Sequence, residues 1–491
     1  MTSPKSGPPE EPPHVVIVGG GIAGLAAAWE LESWSRTGRL SVDLYEATAR
    51  VGGTIVTDVR SGSVLEGGPD SFLTTKPEAM ALCEELGLTD SLIGTRPSAR
   101  GAYIYRKGRL HRIPSLFRVG PWASARSVFS TTLLSRSGKL RTALGAGAVH
   151  LRPIRTDGRR ALGPQLRDRF GNEAVDWLLE PFLAGIHPAP LDLLSPAAVA
   201  SALPPRWTVG RVEVSRAGSG RSAGVASEVP ARRSPGPFAS LREGMEQLPR
   251  TMAAKMRGAQ LHLRQPVRDV RREGNRYRIA GEDGETVLAD GVILALSPEA
   301  AGRLLGRELP RVVHGLERIR TSDAVVAGFV FERSEVPMAL EGSGVLVPAR
   351  AGLPISAITW LSAKWDRPQP PDGSVAVRVF LRSANDRSGP ISEPGSVRLA
   401  LEGLREVMGI VADPRYATVF AHRAALPWYE LGHSERVAAI RREMADWPGA
   451  EFAGSSYDGI GIPDAVRSGR AAARRLAARW FAPPSVEVRA A

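Results

Sequence analysis

One cysteine, Cys83, stands in a chain of 491 residues. A lone thiol closes no internal disulfide and builds no cysteine-only metal cage, and its apolar, helix-patterned neighbours mark it as a small buried residue. Aromatic residues are scarce at 6%, and no apolar run reaches the roughly 18 residues of a membrane-crossing helix. The Pro- and Glu-rich start, Met1–His14, lacks the apolar core of a signal peptide, so it reads as the disordered tail of a cytoplasmic protein. There is no continuous basic tract, no aromatic-interleaved nucleic-acid motif and no Ser/His/Asp or metal-ligand spacing. These absences argue against a disulfide scaffold, a transmembrane protein and a nucleic-acid binder, and they leave redox chemistry to a cofactor.

What is present is size and positive charge. The length exceeds the roughly 250–300 residues at which one core stops growing, so two or three sub-domains are expected. With 43% hydrophobic and 23% charged residues, the composition is that of a folded protein. The net charge of +13 is spread along the chain, mostly on Arg, which suits steering of an anionic substrate or an acidic membrane surface.

The most informative stretch is near the start. His14–Val18 reads as a strand, Gly19–Gly24 as a glycine turn, Ile22–Trp34 as an Ala-rich helix and Ser41–Glu46 as a second strand, a βαβ unit. Gly19, Gly21 and Gly24 supply GxGxxG where backbone amides and a helix N-terminus meet a pyrophosphate. Glu46 ends the second strand, where a carboxylate accepts both ribose hydroxyls and repels a 2′-phosphate. The continuation Arg50-Val51-Gly52-Gly53-Thr54 selects FAD, because Arg50 adds charge to the pyrophosphate and the glycines admit close approach. Leu65–Phe72 again brings small residues where a ring could lie.

Further on, Ala174–Ala184 reads as helix, and Pro204–Pro237 as a mobile loop without apolar periodicity. Leu261–Leu263, Arg276–Ala280 and Gly291–Leu296 read as a returning sheet, with turns at Gly274 and Asp283-Gly284. Phe452–Ser455 and Asp458–Arg470 read as strand, glycine turn and helix start, a dipole that would favour reduced flavin if it points at the ring.

Taken together, these residues resemble the oxygen-dependent porphyrinogen oxidases of haem synthesis, the protoporphyrinogen and coproporphyrinogen III oxidases, within the amine-oxidase-like FAD superfamily. Beyond the FAD motifs, the resemblance rests on Leu65–Phe72, Gly185-Ile186 with Leu194-Ser195, Gly244-Met245, Gly344–Pro348 and Ala425–His433. It covers nearly the whole chain. It implies one non-covalent FAD held by Gly19, Gly21, Ile22, Ala23, Gly24, Glu46, Arg50, Gly53, Thr54, Gly68, Pro69, Asp70 and Ser71, with Val267 near adenine and Ile462, Pro463 and Ala465 near the ring. A tetrapyrrole would meet Ala102, Ser343, Gly344, Leu346 and Trp360, the last an aromatic able to sandwich a pyrrole.

The implied reaction moves a methylene-bridge hydride to flavin and a pyrrole proton to solvent. Dioxygen reoxidises the flavin to give hydrogen peroxide, over three rounds. Orientation suffices, so no catalytic side chain and no metal is nominated. Protoporphyrinogen-type members carry Arg where this chain has Ala102 and Phe where it has Ser343. The small residues favour coproporphyrinogen III, with its four propionates, over protoporphyrinogen IX. His187-Pro188 replaces an aromatic followed by Ala-Gly; His187 could bond a substrate carboxylate, although a structural role is the simpler reading, as it is for His433. An FAD amine or polyene oxidase, or a non-catalytic Rab-escort-like protein, remain the alternatives.

The expected architecture is mixed α/β, with a Rossmann-like FAD domain (14–95, 238–300, 418–481) and an interleaved mixed-sheet substrate domain (96–113, 185–206, 301–417). A helical sub-domain (114–184) is implied as a peripheral membrane contact at the inner face of the cell membrane. A tail (1–13) and a flexible loop (207–237) complete it.

Overall fold

The computed structural model describes residues 11–114, 121–148, 153–185, 187–200, 208–209, 236–306, 308–368, 370, 372–382 and 392–481. The tail up to residue 10, nearly all of the 207–237 segment and Ile186 lie outside them.

Five parallel strands form the first layer, in the order Gln260–Leu263, Ser41–Glu46, His14–Val18, Gly291–Leu294 and Ala450–Phe452. Val15, Val16 and Ile17 are fully buried, as a central parallel strand covered on both faces requires. The helices Ile22–Arg36 and Ile462–Ala477 pack on one face. They touch where a Cβ on Gly469 would lie 2.0 Å from the Ala23 carbonyl oxygen, so glycine alone permits this approach.

Asp43 sits between two imidazoles, His14 Nε2 at 2.6 Å and His262 Nε2 at 2.7 Å. Burial works against the charge of His14, but hydrogen bonding and attraction from Asp43 outweigh it and hold its pKa above 6.5. A raised folded pKa contributes stability that is complete below the unfolded value and lost as pH rises through the folded one. Thermal stability should therefore fall as pH climbs above about 6.5. A His14→Gln variant, melted across pH 5.5–8.5, should lose that part of the slope.

The returning strands separate into two places. Gln260–Leu263 and Gly291–Leu294 join the parallel sheet, whereas Arg276–Gly281 pairs antiparallel with Val267–Glu273 and Thr286–Ala289 in a three-stranded sheet of its own. The tight turns at Gly274 and Gly284, both with positive φ, close these hairpins locally and keep them out of the parallel layer. Between Phe452 and the terminal helix a short helix, Ser455–Asp458, intervenes.

The second layer is a seven-stranded sheet ordered Tyr416–Pro427, Thr321–Phe331, Val375–Leu381, Ile355–Trp360, Gly344–Leu346, Tyr103–Arg106 and Arg109–Arg112. It is antiparallel except where Gly344–Leu346 meets Tyr103–Arg106. One face is covered by the helix Glu393–Met408 through Ala400, Leu404, Val407 and Met408. A helical layer includes Pro121–Ser130, Arg136–Gly147, Leu162–Phe170 and the run 172–184, helical as expected but with a π-turn at Val175–Leu179.

Packing moves three expected boundaries. The 417/418 division falls inside the strand Tyr416–Pro427, which the ladder to Thr321–Phe331 holds in the seven-stranded sheet. Ala301, Leu304, Leu305, Val312 and Leu316 share a core with Val16 and Val292, so this helical pair belongs with the parallel layer. Leu191, Leu194 and Val199 are buried with Leu162 and Leu178 in the helical core.

Candidate active site

The glycine turn is built as its spacing demands. A Cβ on Gly24 would stand 1.9 Å from the Gly19 carbonyl oxygen, and one on Gly19, at φ +107, 2.5 Å from that of Ala295. At Gly21 a Cβ would meet nothing within 4 Å, so the turn is open on its outer side. Glu46 closes one end: Oε2 accepts from Gly20 N at 2.8 Å, and Oε1 from Thr48 N at 2.9 Å and Thr48 Oγ1 at 2.7 Å. Gly53 lies against Gly21, and Gly52 N donates to Gly20 O at 2.8 Å. These two loops thus form one cradle of backbone groups, which suits a dinucleotide pyrophosphate.

Arg50 differs from expectation. Its guanidinium donates to Val51 O (3.2 Å), Ile55 O (3.0 Å) and Gly53 O (2.5 Å). It is the clasp of the 50–55 loop, because carbonyls turned inward by the tight bend need a donor. Ile462, Pro463 and Ala465 are likewise buried, with Ile462 and Ala465 packed into the core of the parallel layer, and the Ala465 amide is spent on Gly461 O at 2.9 Å. Val267 sits at a bulge of its hairpin and lines a cavity of about 310 Å³ with Tyr45, Arg264 and Gln265.

From the cradle the chain runs across the seven-stranded sheet. A Cβ on Gly68 would lie 1.8 Å from Thr54 O, and one on Gly67 would enter the Phe420 ring at 2.2 Å. Small residues here therefore let two layers meet. Pairing sets the sheet's two faces: Val345 opposes Ile358, while Gly344 opposes Thr359, Leu346 opposes Ala357 and Thr359 opposes Arg378. Gly344, Leu346 and Arg378 thus share one face, and alternation along the neighbouring strand adds Ala102 and Ile104. Ser343, expected at this face, instead follows the parity of Val345, and its Oγ donates to Ala99 O at 2.7 Å.

Trp360 does not line this face. It follows the parity of Ile358, is fully buried, and sends Nε1 to Met408 Sδ at 3.4 Å. The pleat places it in the core under the helix Glu393–Met408, which corrects the expectation of an aromatic wall at that residue. Gly344 owes its identity to the backbone, since a Cβ there would be 2.1 Å from Ile358 O.

Sequence reasoning missed the buried ionic cluster behind Gly68. Asp70 accepts from Lys364 Nζ at 2.7 Å, Trp365 Nε1 at 3.2 Å and Ser71 Oγ at 3.1 Å, and Arg378 Nη2 stands 3.2 Å away. Glu66 accepts from Arg367 Nη2 at 2.6 Å, Thr57 Oγ1 at 2.8 Å and Met245 N at 3.1 Å. Arg378 Nη1 donates to Gly68 O at 2.6 Å. Burial opposes ionisation of Asp70, but Arg378 and Lys364 hold its carboxyl well below the usual range. Burial pushes Glu66 up despite Arg367 and pulls Lys364 down. No local sequence signal reports such a cluster, because its partners lie about 300 residues apart.

His187 is buried, with Nδ1 unpartnered among the described residues, and burial lowers it to about 4. His433, its ring 4.0 Å from that of Tyr429 and tilted by 33°, is also lowered to about 4 by burial. Both are neutral near pH 7. Tyr429 links this pair to the terminal turn, its hydroxyl donating to Ser455 O and accepting from Gly459 N, both at 2.6 Å. Among the described residues no acidic, His or Cys group of three forms a metal site, and no helix is long and apolar enough to cross a membrane.

A parallel dinucleotide-type layer set against the face of a mixed sheet, joined at a glycine cradle, defines a flavoprotein oxidoreductase. The chain belongs to the flavin-containing amine oxidoreductase family, whose sequence model matches residues 22–477, and FAD is its cofactor. It is 31% identical to the coproporphyrinogen III oxidase of Bacillus subtilis (strain 168), covering 94% of this chain and 97% of that one. It is also 31% identical to the enzyme of that name from Propionibacterium freudenreichii subsp. freudenreichii, over 94% and 90% of the two chains. A crystal structure described as that of a protoporphyrinogen oxidase from Exiguobacterium sp. 255-15 superposes with a TM-score of 0.77 at 28% identity, covering 96% of this chain and all of the other.

Proposed function

We propose that this enzyme oxidises coproporphyrinogen III to coproporphyrin III with dioxygen as acceptor, releasing hydrogen peroxide. The observation that carries the reading is the shared sheet face: Ala102 and Leu346 lie on the side that carries Gly67 and Gly68, and no Arg narrows it at 102. The names of the relatives support the substrate class.

FAD would be held by Gly19, Gly21, Ile22, Ala23 and Gly24 at the pyrophosphate, Glu46 at the ribose, Gly53 and Thr54 beside the cradle, and Gly68–Ser71 at the ring, with Val267 at adenine. When bound, it supplies the acceptor for a bridge hydride. The protein's own part is to seat the macrocycle against Gly68. The buried histidines are neutral, and Asp70 and Glu66 are engaged by cations, so the pyrrole proton leaves to solvent without a dedicated base.

The test compares kcat/KM for coproporphyrinogen III and protoporphyrinogen IX, prepared anaerobically and followed by porphyrin fluorescence. Preference for the tetracarboxylate is expected; equal or better turnover of the dicarboxylate would sink the assignment. Ala102→Arg should move the ratio toward protoporphyrinogen, since a guanidinium narrows the face and pairs one propionate. An unchanged ratio would show that position 102 does not discriminate.

The helical layer is proposed as the surface that rests on an acidic membrane. The helices Pro121–Ser130 and Arg136–Gly147 carry Arg126, Arg136, Lys139 and Arg141 and no Asp or Glu. Phe129, Leu140 and Leu144 are 53%, 54% and 63% exposed on two adjacent helices, a combination suited to anionic lipid. Sedimentation with phosphatidylglycerol vesicles, but not with phosphatidylcholine ones, is expected, and Leu144→Glu should weaken it. Equal binding to both vesicles, or none, would refute this contact.

A further inference from the structure

The cluster behind Gly68 is unbalanced. Three cations, Lys364, Arg367 and Arg378, face two carboxylates, Asp70 and Glu66, and the four groups other than Lys364 are each less than one-tenth exposed. The excess also shows in the hydrogen bonding: Arg367 Nη1 and Arg378 Nε are buried without an acceptor among the described residues. Arg378 belongs to the sheet face that Gly68 approaches, and its own Nη1 ends on the Gly68 carbonyl. Burial pulls the Lys364 ammonium toward its neutral form, but the Asp70 carboxylate 2.7 Å away holds its proton, and protonation of Glu66, which burial favours, would enlarge the surplus. A charge retained in so poorly hydrated a place acts at longer range than it would at the surface.

We propose that Lys364, Arg367 and Arg378, with Asp70 and Glu66, form a buried cluster of one net positive charge that raises the midpoint potential of the flavin. The inference rests on the reading of Gly68–Ser71 as the wall of the ring. Two-electron reduction with uptake of one proton adds one negative charge to the isoalloxazine, so a nearby fixed cation favours the reduced form. A stronger oxidant is what removal of hydride from carbon requires. These side chains are positioning residues: their field acts on the cofactor, and no bond to substrate is assigned to them.

The test uses the FAD-loaded full-length protein and two substitutions of opposite sign. Lys364→Gln removes one positive charge, and Asp70→Asn removes one negative charge. With flavin content first verified by absorbance, the midpoint potential is measured against reference dyes. Lys364→Gln should lower the reduced-to-oxidised ratio at a given potential about tenfold, ~30 mV for a two-electron couple, and Asp70→Asn should raise it by a similar factor. Lys364→Arg should restore the wild-type value. A purely structural tie between layers would move both variants together or neither, and either result overturns the proposal. If Lys364→Gln does not fold, Asp70→Asn alone decides, because an unchanged or lowered potential in it is enough to reject the idea. Wild-type protein that binds no flavin would defeat the reading of the wall instead, so the two failures are distinguishable.

Discussion

Glu46→Ala should weaken FAD binding by ~10²–10⁴-fold, read as a nearly colourless purified protein and a raised Kd in titration of the apoprotein. In the structure both carboxylate oxygens face the cradle, on Gly20 N and on Thr48. The ribose hydroxyls would join these donors on the same carboxylate, and each hydrogen bond to a charged acceptor contributes about 1.5–3 kcal/mol. Alanine forfeits both at once and leaves Gly20 N without its partner. Glu46→Gln keeps the shape and one acceptor oxygen, so it should fall between. An alanine variant as yellow as wild type would show that the ribose is held elsewhere.

Arg367→Met should cost about 3–5 kcal/mol of stability, because it leaves a buried carboxylate without its cation. Glu66 is 1% exposed and would keep only Thr57 Oγ1 and Met245 N. The loss should appear as a lower urea midpoint with flavin release as the signal. Burial already pushes the Glu66 carboxyl up, so in the variant a falling pH protonates it and the deficit narrows. The double variant Glu66→Leu/Arg367→Met removes the orphaned charge and should recover much of the difference. A single variant as stable as wild type at pH 8 would mean that Glu66 is neutral in the native protein.

Much of the fold was legible because its signals are local. GxGxxG between a strand and a helix, then an acid at the end of the next strand, needs no distant partner to be read, and His14–Val18 and Ser41–Glu46 fall where their patterns put them. The pattern at Arg276–Ala280 indicates a strand but not its sheet, since strand pairing depends on which turn closes first. Arg50 was found by spacing, yet whether its charge faces a phosphate or the loop's own carbonyls depends on how the 50–55 bend closes.

The sequence by itself determined the N-terminal βαβ unit, the family resemblance and the glycine positions, because each is carried by short motifs whose residues are close in sequence. Only the tertiary structure decided that Trp360 is core, that Ala102, Gly344, Leu346 and Arg378 share a face, and that Glu66 and Asp70 meet Arg367, Lys364 and Arg378 from about 300 residues away. Parity across a ladder and the pairing of buried charges are properties of strand register and layer contact, and neither is written in any single stretch of chain.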